Sequence, residues 1–105
     1  MSVAQLLVFS NAVDGKEEEF ERWYDEQHIP DVLQVPGIIA AQRFETRGGD
    51  WKFCTVYELD TADIDAVLAD LVSRAGTDRM VMSDAIDAAG VNMVPVVAVR
   101  PRVSA

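Results

Sequence analysis

Histidine and cysteine, the residues most used in metal and redox chemistry, each occur only once in this chain of 105 residues. The single cysteine, Cys54, excludes an internal disulfide and is typical of a reducing compartment. It lies on a different predicted element from the one histidine, His28, and the acidic residues are spread over predicted helix surfaces. We therefore expect no metal site and a solvated acidic surface instead.

Motifs for phosphate binding and for nucleophilic catalysis are also absent from the sequence. Gly48-Gly49 lies between two predicted strands with no helix after it, which indicates a hairpin turn and not a phosphate loop. The chain has no Gly-x-Ser-x-Gly elbow, and Cys54 has no activating base near it in sequence, so it is expected to be a buried thiol.

Basic residues are few, with nine Lys and Arg against eighteen Asp and Glu, a net charge of −9 at pH 7. A surface this negative repels phosphate backbones and anionic lipids, so we expect neither nucleic acid nor a membrane as a partner. No apolar run approaches the ~20 residues that span a bilayer. The N-terminus lacks the positive region of a signal peptide, and we expect a cytoplasmic protein.

The pattern of apolar residues predicts one domain covering residues 1–105. Half of the residues are apolar or aromatic, which is enough for an ordinary core. A short apolar run over residues 3–9 predicts a buried strand. A domain this small buries a modest fraction of its surface, so dimerisation would stabilise it.

A helix is predicted after this strand, because Phe20, Trp23 and Tyr24 recur at helical spacing with acidic residues on the outer side. It is expected to end near Ile29, since a residue before proline avoids the helical region. Alternatively, Pro30 starts a second short helix, because proline is tolerated in a first turn.

A hairpin is predicted over residues 37–59, where two alternating runs flank the glycine turn. The alternation assigns an aromatic-rich set with a few polar groups to the inward face. These residues are Gln42, Phe44, Trp51, Phe53, Thr55 and Tyr57. The opposite face is expected to carry Ile39, Ala41, Cys54 and Val56.

A second helix over residues 60–76 and a last strand over 91–99 complete the pattern, with Pro95 favouring an edge position or a bulge. The order βαββαβ predicts an α+β, ferredoxin-like fold with a four-stranded antiparallel sheet and both helices on one face. The other face mixes apolar and charged residues. Such a face suits a partner subunit better than water, so a homodimer is expected.

Candidate chemistry centres on residues 23–31, which contain the only histidine. The ordinary pKa of about 6.5 makes His28 the side chain best suited to proton transfer at neutral pH. Tyr24, one turn earlier, and Asp31, three residues later, are each able to hydrogen-bond the imidazole and fix its tautomer. The alternative is that His28 caps the end of the helix.

A small-molecule pocket is expected where polar groups converge within an apolar wall. Trp23 and Tyr24 would line it together with the inward face of the hairpin. Methionines can line such a pocket flexibly. The candidates are Met80, Met82 and Met93. All of these residues are equally consistent with ordinary core packing.

The segment FERWYDEQHIPDVLQVPGIIAAQRF, residues 20–44, resembles the EthD-like branch of the dimeric α/β-barrel superfamily. Typical members carry a W-Y-x-x-x-H-x-P segment, a P-G turn and a strand ending in R-F. The matching residues here are Trp23, Tyr24, His28, Pro30, Pro36-Gly37 and Arg43-Phe44. The resemblance implies a ferredoxin-like protomer whose sheet pairs with a second one to form a barrel.

The superfamily includes polyketide cyclases, muconolactone-type isomerases and small decarboxylases or dehydratases, several of which need no cofactor. Its motif histidine is often considered the acid/base, a role that the resemblance gives to His28. This chain lacks a second histidine, so Asp31, Tyr24 or Tyr57 would have to be its partner.

The leading hypothesis is a cofactor-independent isomerase, cyclase or lyase acting on a cyclic or aromatic metabolite, in catabolism or polyketide-like biosynthesis. His28 would move a proton next to a carbonyl or lactone, with Asp31 or Tyr24 orienting it. Gln42, Thr55 or Tyr57 would hold the substrate oxygen. The alternatives are a non-catalytic binding or carrier protein for a small apolar metabolite, and a structural dimer whose interior is tightly filled.

Overall fold

A computed structural model describes residues 4–105; Met1, Ser2 and Val3, with the start of the first predicted strand, lie outside the described residues. The elements follow the order β-α-β-β-α-β, and the first helix has two parts joined by a π-helical turn at Tyr24–His28. The elements are β1 (Ala4–Ser10), α1 (Glu17–Trp23), α2 (Ile29–Val32), β2 (Ile38–Glu45), β3 (Phe53–Leu59), α3 (Ile64–Arg74) and β4 (Asn92–Val97).

The four strands form one antiparallel sheet in the order β2-β3-β1-β4. The ferredoxin-like α+β fold expected from the element order is therefore confirmed. β4 lies at the edge of the sheet. Pro95 has no N–H to donate, which an edge strand tolerates because only one of its sides is paired. Within residues 4–105, no helix is long and apolar enough to cross a bilayer.

One face of the sheet carries the core. Along β1 the side chains alternate between buried and half-buried, as the period of two requires. Apolar side chains from both helical regions pack onto the buried side. This cluster includes Leu6, Val8, Val32, Tyr57, Leu59, Val67 and Leu71.

A bulge near the start of β2 changes the face of the sheet on which each later side chain of that strand lies. Ile38 is opposite Leu59 and Ala40 is opposite Glu58, so Ile39 is an extra residue without a partner. Beyond the bulge, Arg43 is paired with Thr55 and therefore shares its face, towards the helices.

The expected inward facing of Gln42 and Phe44 is wrong for this reason. Both side chains lie on the open face of the sheet, where Gln42 is opposite Val56 and Phe44 is opposite Cys54. Ala41, expected on the open face, packs against the core instead. The prediction assumes continuous alternation along the strand. The extra residue moves every later side chain to the opposite face of the sheet.

The first helix does not end before Pro30. The N–H of Ile29 donates to the carbonyl of Tyr24, five residues earlier, and α2 continues from there through Val32. A wider π turn leaves room next to Pro30, which has no N–H and would crowd a regular helix. His28 consequently lies within a continuous helical segment and does not cap a helix end.

The segment over residues 75–91, between α3 and β4, is mostly irregular but well packed. Met80, Ala85 and Ile86 are buried. Backbone hydrogen bonds fix it to the turn after β1, from Val13 N–H to Ala85 and from Asp87 N–H to the carbonyl at position 11. The segment thereby forms one wall of the space between the sheet and the helices.

Candidate functional site

A cavity of about 460 Å³ lies between the sheet, the two helical regions and the segment over residues 75–91. Its wall is mainly apolar, and among residues 4–105 the polar side chains in it are those of Tyr24, His28 and Tyr57. The apolar wall includes Val8, Leu71, Val72, Met80, Met82 and Met93. The volume and the small number of polar groups are typical of a site for a small organic molecule.

His28 is held between two aromatic rings. Its imidazole stacks on Trp23, with centroids 4.6 Å apart and an angle of 25° between the planes, and meets the edge of Tyr24 at 5.0 Å. The Nδ1 atom is buried and has no hydrogen-bond partner among the described residues. Burial lowers the pKa of His28 to about 4, against an opposing effect of the Asp31 charge. At neutral pH this imidazole is uncharged.

Asp31 hydrogen-bonds to groups other than the imidazole, although its charge raises the pKa of His28. Its carboxylate accepts a hydrogen bond from Gln27 Nε2 at 2.8 Å and one from the backbone N–H of Val81 at 3.3 Å. The expected hydrogen bond between Asp31 and the imidazole is not formed. Gln27 and the Val81 N–H occupy the Asp31 carboxylate instead.

The backbone N–H and the backbone carbonyl of Val81 are both hydrogen-bonded to side chains of the helical segment. The indole Nε1 of Trp23 donates to the Val81 carbonyl at 3.0 Å, while Asp31 accepts from the Val81 N–H. Val81 lies between Met80 and Met82, which both line the cavity. Trp23 and Asp31 therefore fix this part of the wall.

Three hydroxyl groups lie together on the sheet side of the cavity. Tyr24, Thr55 and Tyr57 are each at most 1 % exposed, and the hydroxyl of Tyr57 lies within hydrogen-bonding reach of those of Tyr24 and Thr55. Burial is the main cause that raises the pKa of Tyr57, and the neighbouring Tyr24 adds to it. Thr55 is close enough to act on the same pKa in the opposite direction.

Arg43 lies behind these hydroxyls, a position that the sequence did not predict. Its guanidinium is 4.5 Å from the centroid of the Tyr24 ring and is paired with Glu21 and Asp25 of the helical segment. Burial works against its charge, but the hydrogen bonds that Arg43 donates to the two carboxylates prevail and raise its pKa. The R-F motif was the only available signal, and the bulge decides that Arg43 faces the helices.

Apart from Asp31, the predicted site residues divide into three groups. Tyr24, His28, Tyr57 and Met82 line the cavity, with Trp23 and Thr55 directly behind them. Phe53 is buried in a neighbouring aromatic cluster with Phe20 and does not line the cavity. Gln42 and Phe44 are on the opposite face of the sheet. No local sequence pattern predicted that the cavity wall includes Leu71, Val72, Ala75 and Ile86, because only tertiary packing brings them together.

The open face of the sheet is partly apolar. Phe44 is 44 % exposed there, and Val94 and Val96 of β4 are exposed on the same side. A shallow depression of about 350 Å³ crosses this face. Gln42, Phe44 and Val56 are among its lining residues.

Residues suited to metal binding do not cluster. Within residues 4–105, no group of three or more His, Cys, Asp and Glu side chains is arranged to hold an ion. Cys54 is a free, buried thiol, and burial raises its pKa, which disfavours the reactive thiolate.

Comparison with known proteins supports the fold. No family model matches the chain. No curated protein matches it either. A crystal structure of a protein from Shewanella loihica PV-4, provisionally described as a monooxygenase, is similar, with a TM-score of 0.59, 16 % identity and coverage of 98 % of this chain and 99 % of the other.

A second similar structure is an ethyl tert-butyl ether D (EthD) family protein from Bacillus halodurans C-125. Its TM-score is 0.50 at 14 % identity, covering 91 % of this chain and 97 % of the other. The EthD-like resemblance is thus confirmed at the level of the fold.

Proposed function

We propose that the protein is an enzyme that moves a proton on a small cyclic or aromatic metabolite, without a cofactor, using His28. One observation carries this proposal: an uncharged imidazole, stacked on Trp23, lies in the wall of a mainly apolar cavity. Such a group is able to accept a proton, and the cavity has the size of a small organic ligand.

The proton would come from a carbon next to a carbonyl or lactone group. The nitrogen lone pair takes the proton, the C–H electrons form a carbon–carbon double bond, and the carbonyl oxygen becomes negatively charged. Return of the proton to another carbon gives isomerisation, and loss of a leaving group gives elimination. A positioned base contributes roughly 10²–10⁴-fold, so orientation by the cavity is also needed.

A base whose pKa is about 4 in the empty cavity is weak. The negative charge that develops on the substrate oxygen favours the imidazolium, because an opposite charge within a few ångströms raises the pKa of a histidine. Water exclusion by the bound substrate strengthens this interaction. The base is therefore strongest when the reaction generates charge.

Neighbouring residues take separate parts in this proposal. Tyr24 and Trp23 hold the plane of the imidazole through their rings. Tyr57 and Thr55 are assigned to the substrate oxygen, and Met82 to its apolar body. Asp31 acts on His28 only through its charge and through Val81. Gln42 and Phe44 have no part, since they lie across the sheet.

The open face of the sheet is proposed to pair with that of a second copy, which closes a barrel. The exposed Phe44, Val94 and Val96 support this, since a partly apolar face is stabilised by removal from water. The cytoplasm remains the expected compartment, because a buried free thiol needs no oxidising environment.

Deuterium exchange in D₂O tests the proposal without knowledge of the natural reaction. Aromatic ketones and unsaturated lactones are incubated with the protein, and loss of the proton next to the carbonyl is followed by NMR. The intact protein is expected to accelerate exchange for at least one class of compound. The His28→Ala variant is expected to lose this acceleration, retain ligand binding and recover exchange when free imidazole is added.

A non-catalytic carrier of an apolar metabolite is the second candidate. The low basicity of His28 and the apolar wall favour it. Binding of the same compounds without accelerated exchange, unchanged in His28→Ala, would support the carrier and contradict the enzyme. An oxygen electrode adds a further arm, since uptake of O₂ with a bound phenol would indicate monooxygenase chemistry instead.

A further inference from the structure

We propose that the substrate carries an extended apolar substituent, such as an alkyl chain, and that this chain lies in the cavity between His28 and the edge of the sheet at Met93. The substrate class is then a ring compound with a carbonyl group and an apolar chain, and not a bare ring. This inference rests on the proposed function, because it concerns the same cavity and places the reacting carbonyl group beside His28.

The cavity is elongated across the sheet. Its floor crosses three neighbouring strands, since Tyr57 of β3, Val8 of β1 and Met93 of β4 all line it. Val8 is directly opposite Met93, so both side chains lie on the same face of the sheet. Neighbouring strands are about 4.8 Å apart, and the floor therefore extends about 10 Å from Tyr57 to the edge strand.

The volume of the cavity agrees with this length. A dry apolar cavity of about 150 Å³ is sufficient for benzene, and this cavity, at about 460 Å³, is about three times as large. A single ring beside His28 would leave the part towards Met93 unfilled. Water in that part would find few hydrogen-bond partners, because the wall there is apolar.

The two ends of the cavity differ in exposure and polarity. Its polar members, Tyr24, His28 and Tyr57, are buried or half-buried. The exposed members of the wall mark its opening to solvent, and all of them are apolar. They are Val72, Ala75, Met82, Ala88 and Met93. Val72 is 61 % exposed, and Met82 and Met93 are each 38 % exposed.

An opening of this kind favours the apolar end of a ligand. None of the described residues that line the cavity is Asp, Glu, Lys or Arg, so the opening offers no charged side chain to a polar group. Its apolar residues come from the end of α3, the segment after it and β4, and contiguous exposed apolar surface is typical of a binding site. An alkyl chain among them would remove their surface and its own from water.

A series of phenyl ketones tests the proposal by titration calorimetry on the intact protein. Acetophenone, butyrophenone and hexanophenone differ only in the length of the alkyl chain. Affinity is expected to rise about two- to fourfold for each added methylene group, as partial to full burial of that group allows. The analogue of hexanophenone with a carboxylate at the end of the chain should bind at least about tenfold more weakly than hexanophenone, because the charge would lose hydration beside an apolar opening.

Two substitutions at the opening test where the chain lies. Met93→Gln and Val72→Thr nearly preserve the shape of the side chain but make it polar. Each should weaken hexanophenone binding by about two- to fivefold, and acetophenone binding much less, because only the longer chain reaches the opening.

Val99→Thr is the matched control. Val99 is 87 % exposed and is not among the residues that line the cavity. This variant should leave the binding of the whole series unchanged. All three substituted residues are at least 38 % exposed, so each variant should melt close to the temperature of the unmodified protein.

The outcomes separate this proposal from the proposed function. Equal affinity across the ketone series, with proton exchange that still depends on His28, would overturn the chain site and leave the proposed function intact. A rise with chain length that neither Met93→Gln nor Val72→Thr reduces would also overturn it, because the chain would then lie elsewhere.

The remaining outcomes are equally decisive. Binding of the carboxylate analogue as tightly as hexanophenone would overturn the apolar class of substituent. A variant that melts far below the unmodified protein would show a structural role for that side chain and overturn its assignment to the ligand. Binding of none of the ketones would contradict the proposed function itself.

Discussion

The indole of Trp23 and the imidazole of His28 stack with their centroids 4.6 Å apart, and the same indole donates to the backbone of Val81. Trp23 thus connects the one histidine of the chain to the wall of the cavity. The stack removes one face of the imidazole from water, which contributes to the low pKa of His28.

Substitution of Trp23 separates its two contacts. Trp23→Phe keeps an aromatic face against His28 but loses the hydrogen bond to Val81, and should cost about 1 kcal/mol in the free energy of unfolding. Trp23→Ala loses both and should raise the pKa of His28 towards 6.5. Urea unfolding and NMR titration of the ring measure the two effects. An unchanged pKa in Trp23→Ala would mean that the stack does not control the imidazole.

The stability of the fold should depend on pH through His28. Its pKa is about 4 in the folded protein and about 6.5 in the unfolded chain, so the unfolded chain binds more protons between these values. Stability is therefore full above pH 6.5 and falls as the pH decreases towards 4. The loss between pH 7.5 and 5 should be about 2 kcal/mol.

His28→Gln isolates this contribution, because glutamine does not titrate. Chemical unfolding of both proteins between pH 5 and 7.5, above the main range of the carboxylates, gives the comparison. The variant should show a much flatter dependence. The same slope in both proteins would mean that His28 is not buried in its neutral form.

Removal of the Asp31 carboxylate should act on Val81 more than on the imidazole. Asp31→Ala loses the acceptor of the Val81 N–H, and that amide should exchange faster with solvent by about tenfold, the equivalent of one hydrogen bond. Asp31→Asn keeps an oxygen acceptor and is the matched control. Both variants should lower the pKa of His28 slightly, since the Asp31 charge raises it. A large fall would instead indicate a direct hydrogen bond.

The proposed dimer depends on the open face of the sheet. Phe44→Glu puts a charge where Phe44 is exposed beside Val56, and should give a folded monomer by light scattering. Val99→Glu alters a residue that is 87 % exposed beyond β4, and is the control. A dimer that survives Phe44→Glu, or an unmodified protein that is monomeric at micromolar concentration, would contradict the proposed pairing.

The sequence was sufficient for the fold because each element has a local signal. Alternation identified the strands, and helical spacing of Phe20, Trp23 and Tyr24 identified the helix. The single residue Ile39 has no such signal: a bulge forms through the pairing of two strands and is not encoded in one of them. Because Ile39 is an extra residue, Gln42 and Phe44 lie across the sheet from the candidate site, and Arg43 lies beside it.

The candidate site was predictable only in part for similar reasons. His28, Tyr24 and Tyr57 are on elements that the sequence identified, and their residue types suggested chemistry. The partner of Asp31 was not predictable, because Val81 is 50 residues away and offers a backbone group that carries no sequence signal. The apolar wall from Leu71 to Ile86 likewise depends on how α3 and the following segment pack.

The central claim is that His28 is an uncharged imidazole in a ligand cavity, and NMR titration of its ring protons tests this most directly. The chain has one histidine, so the signals need no assignment. We predict a midpoint near pH 4 in the free protein, with ring signals that shift when a neutral ketone such as acetophenone is added. A midpoint near 6.5 that no compound alters would contradict the account.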